Sequence, residues 1–220
     1  MSNESLPPTE TRRRTIDVSG LPSVALDTRA PLWWGNLLAI LIETTTIALL
    51  LATYFYTRRN FHEWPPARVM RQPILYHNAA NPDLGVATTE LIFVLLSVAP
   101  MIWVERRARR MQERPVTLGL WAMFAISVVA IVLRAFELPG LKFRWDDNAY
   151  GSIVWTTMVM HMTYLIAAAI EFLVMAVWTS RHGLDESHAL DVTLAGFYWY
   201  WVAGTWLVVY GVIFVGPWIT

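Results

Sequence analysis

Residues 150–178 read YGSIVWTTMVMHMTYLIAAAIEFLVMAVW, an apolar run in which Glu171 is the single charged side chain. The run is longer than the roughly 20 residues that a helix needs to cross the hydrocarbon core of a bilayer. Because lipid satisfies no peptide hydrogen bonds, such a span must form them within itself, as a helix does. Residues 150–178 therefore predict a transmembrane helix.

Four more apolar runs lie to either side of this one, and the composition agrees with them. Hydrophobic residues make up 55% of the 220-residue chain and charged residues 15%, against about 25% charged in an ordinary soluble domain. Many of the twelve tryptophans lie near the ends of the runs, as in the aromatic belts of membrane proteins. We expect an all-α polytopic membrane protein, a bundle of five transmembrane helices at about 34–56, 86–104, 117–136, 150–178 and 192–219.

The segment ahead of the first run divides the chain into two parts. Residues 1–31 are polar, contain Arg12, Arg13 and Arg14, and lack the apolar core of a secretory signal. They are predicted to form a disordered or extended cytoplasmic tail, followed by the five-helix membrane domain at 32–220. Ten of the basic residues that flank the spans fall on the side of this tail and six on the other side. This excess places the N-terminus inside and the C-terminus outside.

The residue types in the chain limit the chemistry that it can perform. It has no cysteine, which excludes disulfides, thiolate metal sites and iron–sulfur clusters. Of the five histidines only His161 lies inside a predicted span, whereas haem and copper centres need several imidazoles facing one cavity. A net charge of zero gives no sign of a nucleic-acid partner. We therefore predict no catalytic, cofactor-binding or metal-ligating residue in this chain.

A few ionisable side chains inside the predicted spans are candidates for function, because each costs free energy to place in a bilayer. Glu43 lies within the first span and Glu171 deep in the fourth. His161 also lies in the fourth span, where an interhelical hydrogen bond is a better prediction than metal ligation. Glu90 and Arg134 are predicted to lie near helix ends, within reach of headgroups or loop water.

Two interpretations of Glu43 stay open on the residues alone. A carboxyl in a low-dielectric site can remain protonated and take part in proton uptake, or it can hold a lipid or a neighbouring subunit. Alternatively, Glu43 is a neutral glutamic acid that hydrogen-bonds to Thr44–Thr46 or to another helix and serves only packing.

Several short motifs follow one another along the chain, and many lie at the ends of the predicted spans. They are NLLAILIE (36–43) followed by YFY (54–56), EWPP (63–66), NPDL (81–84), RAFE (134–137), YGS (150–152), His161, and FYWYW (197–201) with Trp206. In order and position these motifs resemble subunit III of the haem–copper oxidases, over roughly residues 33–218. The sequence departs from the family pattern where Tyr164 replaces the second histidine of a His-x-x-His pair, and where Tyr200 and Ala203 replace a histidine and an aspartate of the last helix.

The resemblance implies a five-helix bacterial form of a subunit that has no redox centre of its own. Such a subunit packs against catalytic subunit I and stabilises the oxidase during turnover, while haem and copper belong to partner subunits. It binds phospholipids and is thought to assist proton uptake, and Glu43 occupies the position of the family's carbodiimide-reactive carboxylate. The residues that we expect at buried polar, lipid or subunit contacts are Glu43, Glu137, His161, Glu171 and Arg134.

The same resemblance points to a multi-pass subunit in the plasma membrane of an aerobic bacterium, itself non-catalytic within an oxygen-reducing, proton-translocating complex. Two alternatives stay open. One is the subunit-III-like accessory protein of nitric oxide reductases, which shares the five-helix plan. The other is a small proton-coupled transporter that uses Glu43, Glu171 and His161, although the internal repeats and broken helices common in transporters are not visible in the sequence.

Overall fold

The structure, a computed structural model, describes residues 31–62, 64–66, 82–141 and 143–219. Every regular element in this part of the chain is helical, and five segments are long and apolar enough to cross a membrane. This confirms the predicted all-α fold with five spans. The tail predicted at 1–31 lies outside the described residues except for Pro31, which begins the first helix. The spans are Pro31–Arg58, Leu84–Ala108, Glu113–Gly140, Ala149–His182 and His188–Ile219.

The second and the last span are each interrupted, so the described residues form seven α-helices. All five spans extend past the predicted limits at one or both ends. The predicted limits followed the apolar residues alone, whereas the helical backbone hydrogen bonds continue into polar residues at the membrane surface. The helices are α1 (Pro31–Arg58), α2 (Leu84–Leu96), α3 (Val98–Ala108), α4 (Glu113–Gly140), α5 (Ala149–His182), α6 (Glu186–Tyr210) and α7 (Gly216–Ile219), with a π-helical turn at Gly211–Val215.

The predicted second helix is one span but two helices, α2 and α3, which are separated at Ser97. Pro100, in the first turn of α3, has no N–H to donate to the carbonyl of Leu96, and its ring crowds that carbonyl. The hydroxyl of Ser97 donates to the carbonyl of Val94 at 2.6 Å, and Trp199 on α6 donates its indole N–H to the same hydroxyl oxygen at 2.9 Å. The interruption is thus a point at which α6 is tied to the second span.

The first span, α1, is the most peripheral of the five. Ile47 and Tyr54 are its only buried side chains, whereas α5 carries buried side chains along its whole length. α1 lies against α5 and α6, and α4 packs against α5 more extensively than any other pair of helices does. The core therefore lies among α2 to α6, and α1 covers one side of it.

The Tyr-Gly-Ser motif joins the beginning of α5 to the loop that precedes it and to Trp64, which follows α1. Tyr150 is buried, with its ring centroid 4.8 Å from that of Trp64. A Cβ on Gly151 would lie 2.5 Å from the carbonyl oxygen of Arg144, so only glycine allows the loop to approach α5 this closely. The hydroxyl of Ser152 donates to another carbonyl of the same loop at 2.7 Å. Each residue of the motif therefore has a packing role.

Asp185 caps the beginning of α6, just outside the membrane span. Its Oδ1 accepts the backbone N–H of His188 at 2.8 Å and also contacts Nδ1 of the His188 ring. These two hydrogen bonds hold the pKa of Asp185 below its usual range. A carboxyl whose pKa is lowered on folding stabilises the folded state above its unfolded pKa, and that contribution is lost as the pH falls through its folded pKa.

We expect the Asp185→Asn variant to unfold at a lower temperature than the unchanged protein at neutral pH, with the difference shrinking as the pH is lowered through the acidic range. Asparagine cannot ionise, so the variant lacks the stabilisation that the ionised Asp185 carboxylate provides. The unchanged protein loses the same stabilisation when Asp185 is protonated. Thermal unfolding in detergent, followed by circular dichroism at a series of pH values, measures both curves. Parallel curves for the two proteins would contradict the expectation.

Candidate functional site

A group of fully buried charged side chains lies where α2, α4, α5 and α6 meet. Arg134 on α4 binds two carboxylates: its Nη2 lies 3.0 Å from Glu90 Oε1, and its Nη1 lies 2.9 Å from Glu137 Oε2. None of these three side chains is more than 2% exposed. Charges so far from water are retained only where opposite charges and hydrogen bonds offset their desolvation. Together with His161 on α5, these residues form what we call the arginine cluster.

His161 joins the arginine cluster to α6. Its Nδ1 lies 3.1 Å from Arg134 Nη2, and since a guanidinium only donates, Nδ1 is the acceptor. The ring proton is then on Nε2, which donates to the backbone carbonyl of Val202 at 3.1 Å. The interhelical hydrogen bond predicted for His161 is confirmed, and the ring is held as the neutral Nε2–H tautomer.

An indole ring covers one face of the buried guanidinium. Trp206 on α6 is fully buried, and its ring centroid lies 3.5 Å from Cζ of Arg134. The ring of His161 lies 5.2 Å from the same indole. A cation over an indole face is attracted by the ring quadrupole, more strongly where water is excluded. α6 thus contributes an aromatic face to the cluster, in addition to the carbonyl that His161 binds.

Glu90 lies near the beginning of α2 and Arg134 near the end of α4, as predicted, but the prediction that their side chains reach headgroups or loop water is wrong. Both side chains are 0% exposed, because the faces of α2 and α4 that carry them turn inward and the two charges compensate each other. Glu137 lies one turn from Arg134 on α4 and therefore points to the same side of the helix. The opposite charge in a neighbouring span was the signal that could have added Glu90 to the candidate residues.

Glu43 lies apart from the arginine cluster, on the side of α1 that faces α5 and α6. Its Oε1 accepts the hydroxyl of Tyr198 at 3.2 Å, and its backbone carbonyl accepts the hydroxyl of Tyr164 at 3.4 Å. Its Oε2 is buried and has no hydrogen-bond partner among the described residues. The threonines at 44–46 donate to carbonyls of their own helix instead. Of the two hydrogen bonds considered for Glu43, the one to another helix is formed and the one to Thr44–Thr46 is not.

An open apolar groove lies next to Glu43, between α1 and α6, and we call it the α1–α6 groove. It has a volume of about 340 Å³. The indole N–H of Trp201 donates to the hydroxyl of Thr44 at 2.8 Å and so joins its two walls at one point. Besides these two residues, the lining comprises Ile47, Ala48 and Leu51 of α1 and Gly204, Thr205 and Val208 of α6.

Glu171 stands apart from both places. It is half-buried on α5, and its ionisable neighbour on α6 is another acid, Asp191. The structure therefore brings Arg134, Glu137 and His161 together and leaves Glu43 and Glu171 at separate positions. Within the ranges that the structure describes, no group of three or more His, Cys, Asp or Glu side chains is arranged to hold a metal ion.

The sequence matches a model of the cytochrome c oxidase subunit III family over residues 24–218. The chain belongs to this family. One curated relative, the cytochrome c oxidase subunit 3 of Pylaiella littoralis, is 22% identical over 151 residues, which make up 69% of this chain and 52% of the relative. The chain thus spans about half the length of that relative. The family that the motifs indicated is confirmed, and with it a multi-pass membrane protein.

At two positions where this member of the subunit III family departs from the expected motifs, a tyrosine makes a contact between helices. Tyr164, in place of the second histidine, is buried and reaches the backbone of Glu43 on α1. Tyr200, in place of a histidine of the last helix, donates its hydroxyl to Glu105 Oε2 on α3 at 3.0 Å. Ala203, in place of the aspartate, is buried and has no polar side-chain atom. These positions therefore serve packing between helices in this chain.

Proposed function

We propose that this chain is the non-catalytic subunit III of a bacterial haem–copper terminal oxidase of the cytochrome c oxidase type, in the plasma membrane. The family match over residues 24–218 carries the proposal. In this role the chain stabilises catalytic subunit I, binds phospholipid and assists proton uptake. Its N-terminus lies inside and its C-terminus outside, in agreement with the distribution of basic residues.

The ion pairs and hydrogen bonds of the buried polar groups support a non-catalytic role. Arg134 is engaged by two carboxylates, and both ring nitrogens of His161 already take part in hydrogen bonds. His161 could therefore bind a haem iron or a copper ion only by breaking one of those hydrogen bonds. The haem and copper of the complex would therefore be held by partner subunits.

Deletion of this chain tests the proposed function. A complex extracted in mild detergent from cells that lack the chain is expected to keep its haem absorbance spectrum, because the chain supplies no ligand. The same complex is expected to lose activity sooner during turnover, and expression of the chain from a plasmid should restore the lifetime. Copurification with a nitric oxide reductase, uptake activity of the isolated chain in liposomes, or haem loss from the purified chain on substitution of His161 would each contradict the proposal.

The α1–α6 groove and Glu43 support the lipid-binding part of the proposal. The volume of about 340 Å³ lies within the range of ligand pockets, about 300–1,000 Å³. The apolar lining suits an acyl chain, which can enter from the surrounding bilayer. Glu43 precedes Thr44, which lines the groove, and one of its carboxyl oxygens is buried and unpartnered among the described residues. This oxygen is the atom that would exchange a proton or bind a lipid.

We expect the Gly204→Leu variant to lose the phospholipid held in the α1–α6 groove. Gly204 lines the groove, and a Cβ at this position meets nothing within 4 Å, so the leucine side chain has room to begin and takes up space in the groove. Gly35 on α1 is equally open, and Gly35→Leu adds the same side chain away from the groove as a matched control. Native mass spectrometry of the detergent-purified protein counts the bound lipids. Equal lipid content in the two variants would contradict the assignment.

A further inference from the structure

The arginine cluster is not balanced in charge if both of its carboxyls are ionised. Arg134 contributes one positive charge, and His161 is neutral because its Nδ1 accepts a hydrogen bond. Two carboxylates would leave one net negative charge among side chains that are at most 2% exposed. An uncompensated charge removed from water is costly, and a carboxyl in that position binds a proton instead.

The positions of the two carboxyls favour a single proton between them. Each is paired with a different terminal nitrogen of the same guanidinium, which places the two carboxyls next to each other. All four carboxyl oxygens of Glu90 and Glu137 are buried without a hydrogen-bond donor among the described residues, including the two that form ion pairs with Arg134. Two carboxyls in one site do not both ionise readily, because the second charge would be placed beside the first. An O–H between them supplies the missing donor.

The helices around the two carboxyls present one cation to them. α2 contributes Glu90, α4 contributes Arg134 and Glu137, α5 contributes the neutral His161, and α6 contributes the ring of Trp206. In the described part of the chain, the ion pairs of both glutamates are made with Arg134 alone. The charge of one carboxyl is therefore compensated by the guanidinium, and the charge of the other is not.

We propose that Glu90 and Glu137 bind one proton between them, which makes the arginine cluster electrically neutral within the membrane. One carboxyl donates its O–H to the other, and both remain in ion pairs with Arg134. α2, α4 and α5 are then joined by polar contacts without placing a net charge in the bilayer. The proposal concerns the cluster itself and does not depend on which complex the chain serves.

Infrared spectroscopy of the carboxyl C=O stretch tests the proposal, on the full chain purified in mild detergent together with the subunits that accompany it. Glutamine has the shape of a protonated glutamate and cannot ionise, so the informative variants are Glu90→Gln and Glu137→Gln. We expect a protonated-carboxyl band in the unchanged protein at neutral pH that both variants lack. In each variant the remaining carboxylate pairs with Arg134 and stays ionised. Carbon-13 labelling of glutamate identifies the band, and Glu186→Gln, at an exposed position, should leave it unchanged.

Each other outcome of the infrared experiment overturns the proposal. If the protonated-carboxyl band persists in one of the two variants, the proton belongs to a single carboxyl. If neither variant loses a band relative to the unchanged protein, both carboxyls are ionised. Thermal unfolding is a second measurement. Each single variant should shift the midpoint little, and the Glu90→Gln/Glu137→Gln double variant should lower it by more than the sum of the two, because Arg134 then lacks an anion. If neither single variant folds, the proposal also fails, since glutamine reproduces the protonated group.

Discussion

Replacement of Arg134 by methionine is expected to lower the free energy of unfolding by about 3–5 kcal/mol, the usual cost of removing one partner from a buried ion pair. The methionine leaves Glu90 and Glu137 without a counter-charge at a place that water does not reach. It also leaves Nδ1 of His161 without its donor and the indole of Trp206 without its cation. The loss therefore comes from several groups that one side chain satisfies.

The Arg144→Met variant is the matched control for Arg134→Met. Arg144 pairs with Asp146 at 3.1 Å, but its side chain is 65% exposed. Exposed ion pairs contribute at most about 1 kcal/mol, because water and salt screen them. Thermal or denaturant unfolding in detergent, followed by circular dichroism, compares the two variants with the unchanged protein. Equal losses of stability would mean that the arginine cluster does not stabilise the fold more than a surface pair does.

Replacement of Trp199 by alanine is expected to lower the free energy of unfolding by about 3 kcal/mol or more, as for other fully buried tryptophans. Its ring is 0% exposed and lies 5.6 Å from the ring of Phe172, measured between centroids. Its indole N–H donates to Ser97 at the interruption between α2 and α3. In a bilayer the loss is mainly one of packing and hydrogen bonding, because the unfolded side chain would also lie in lipid.

The Phe197→Ala variant controls for the loss of an aromatic ring from the same helix. Phe197 lies two residues from Trp199 in the run FYWYW, but it is 46% exposed. Its ring lies on the outer surface of the bundle, so its removal opens no cavity. The substitution should change the free energy of unfolding by less than about 0.5 kcal/mol. The same unfolding assay in detergent measures both variants. Similar losses for the two would contradict the assignment of Trp199 to the core.

The two polar regions of this subunit III family member differ in their access to the surrounding membrane. The arginine cluster is closed, and its four members are bound to one another and to α6. Glu43 instead lies beside an open groove and keeps one oxygen unpartnered among the described residues. A closed cluster stabilises the bundle, whereas the groove is where a ligand from the membrane can enter. Substitutions in the two regions should therefore affect different measurements, stability in the first and bound lipid in the second.

The spans of the chain could be predicted because the signal for them is local. A run such as residues 150–178 must satisfy its peptide groups within itself in lipid, and this requirement alone makes it helical. The helix limits were less accurate, since caps such as Asp185 are polar residues outside the apolar runs. The division of the second span at Ser97 was also missed, although Pro100 was a signal for it.

The sequence by itself determined the five spans, the family and the small set of ionisable residues within the membrane. Only the tertiary structure determined which of these residues meet: Glu90 reaches Arg134 from another helix, whereas Glu43 meets Tyr198, 155 positions away, at a different place. The reason is physical. Backbone hydrogen bonds that make a membrane helix are formed between near neighbours in the chain, but the direction in which each side chain points depends on how every helix is rotated against the others.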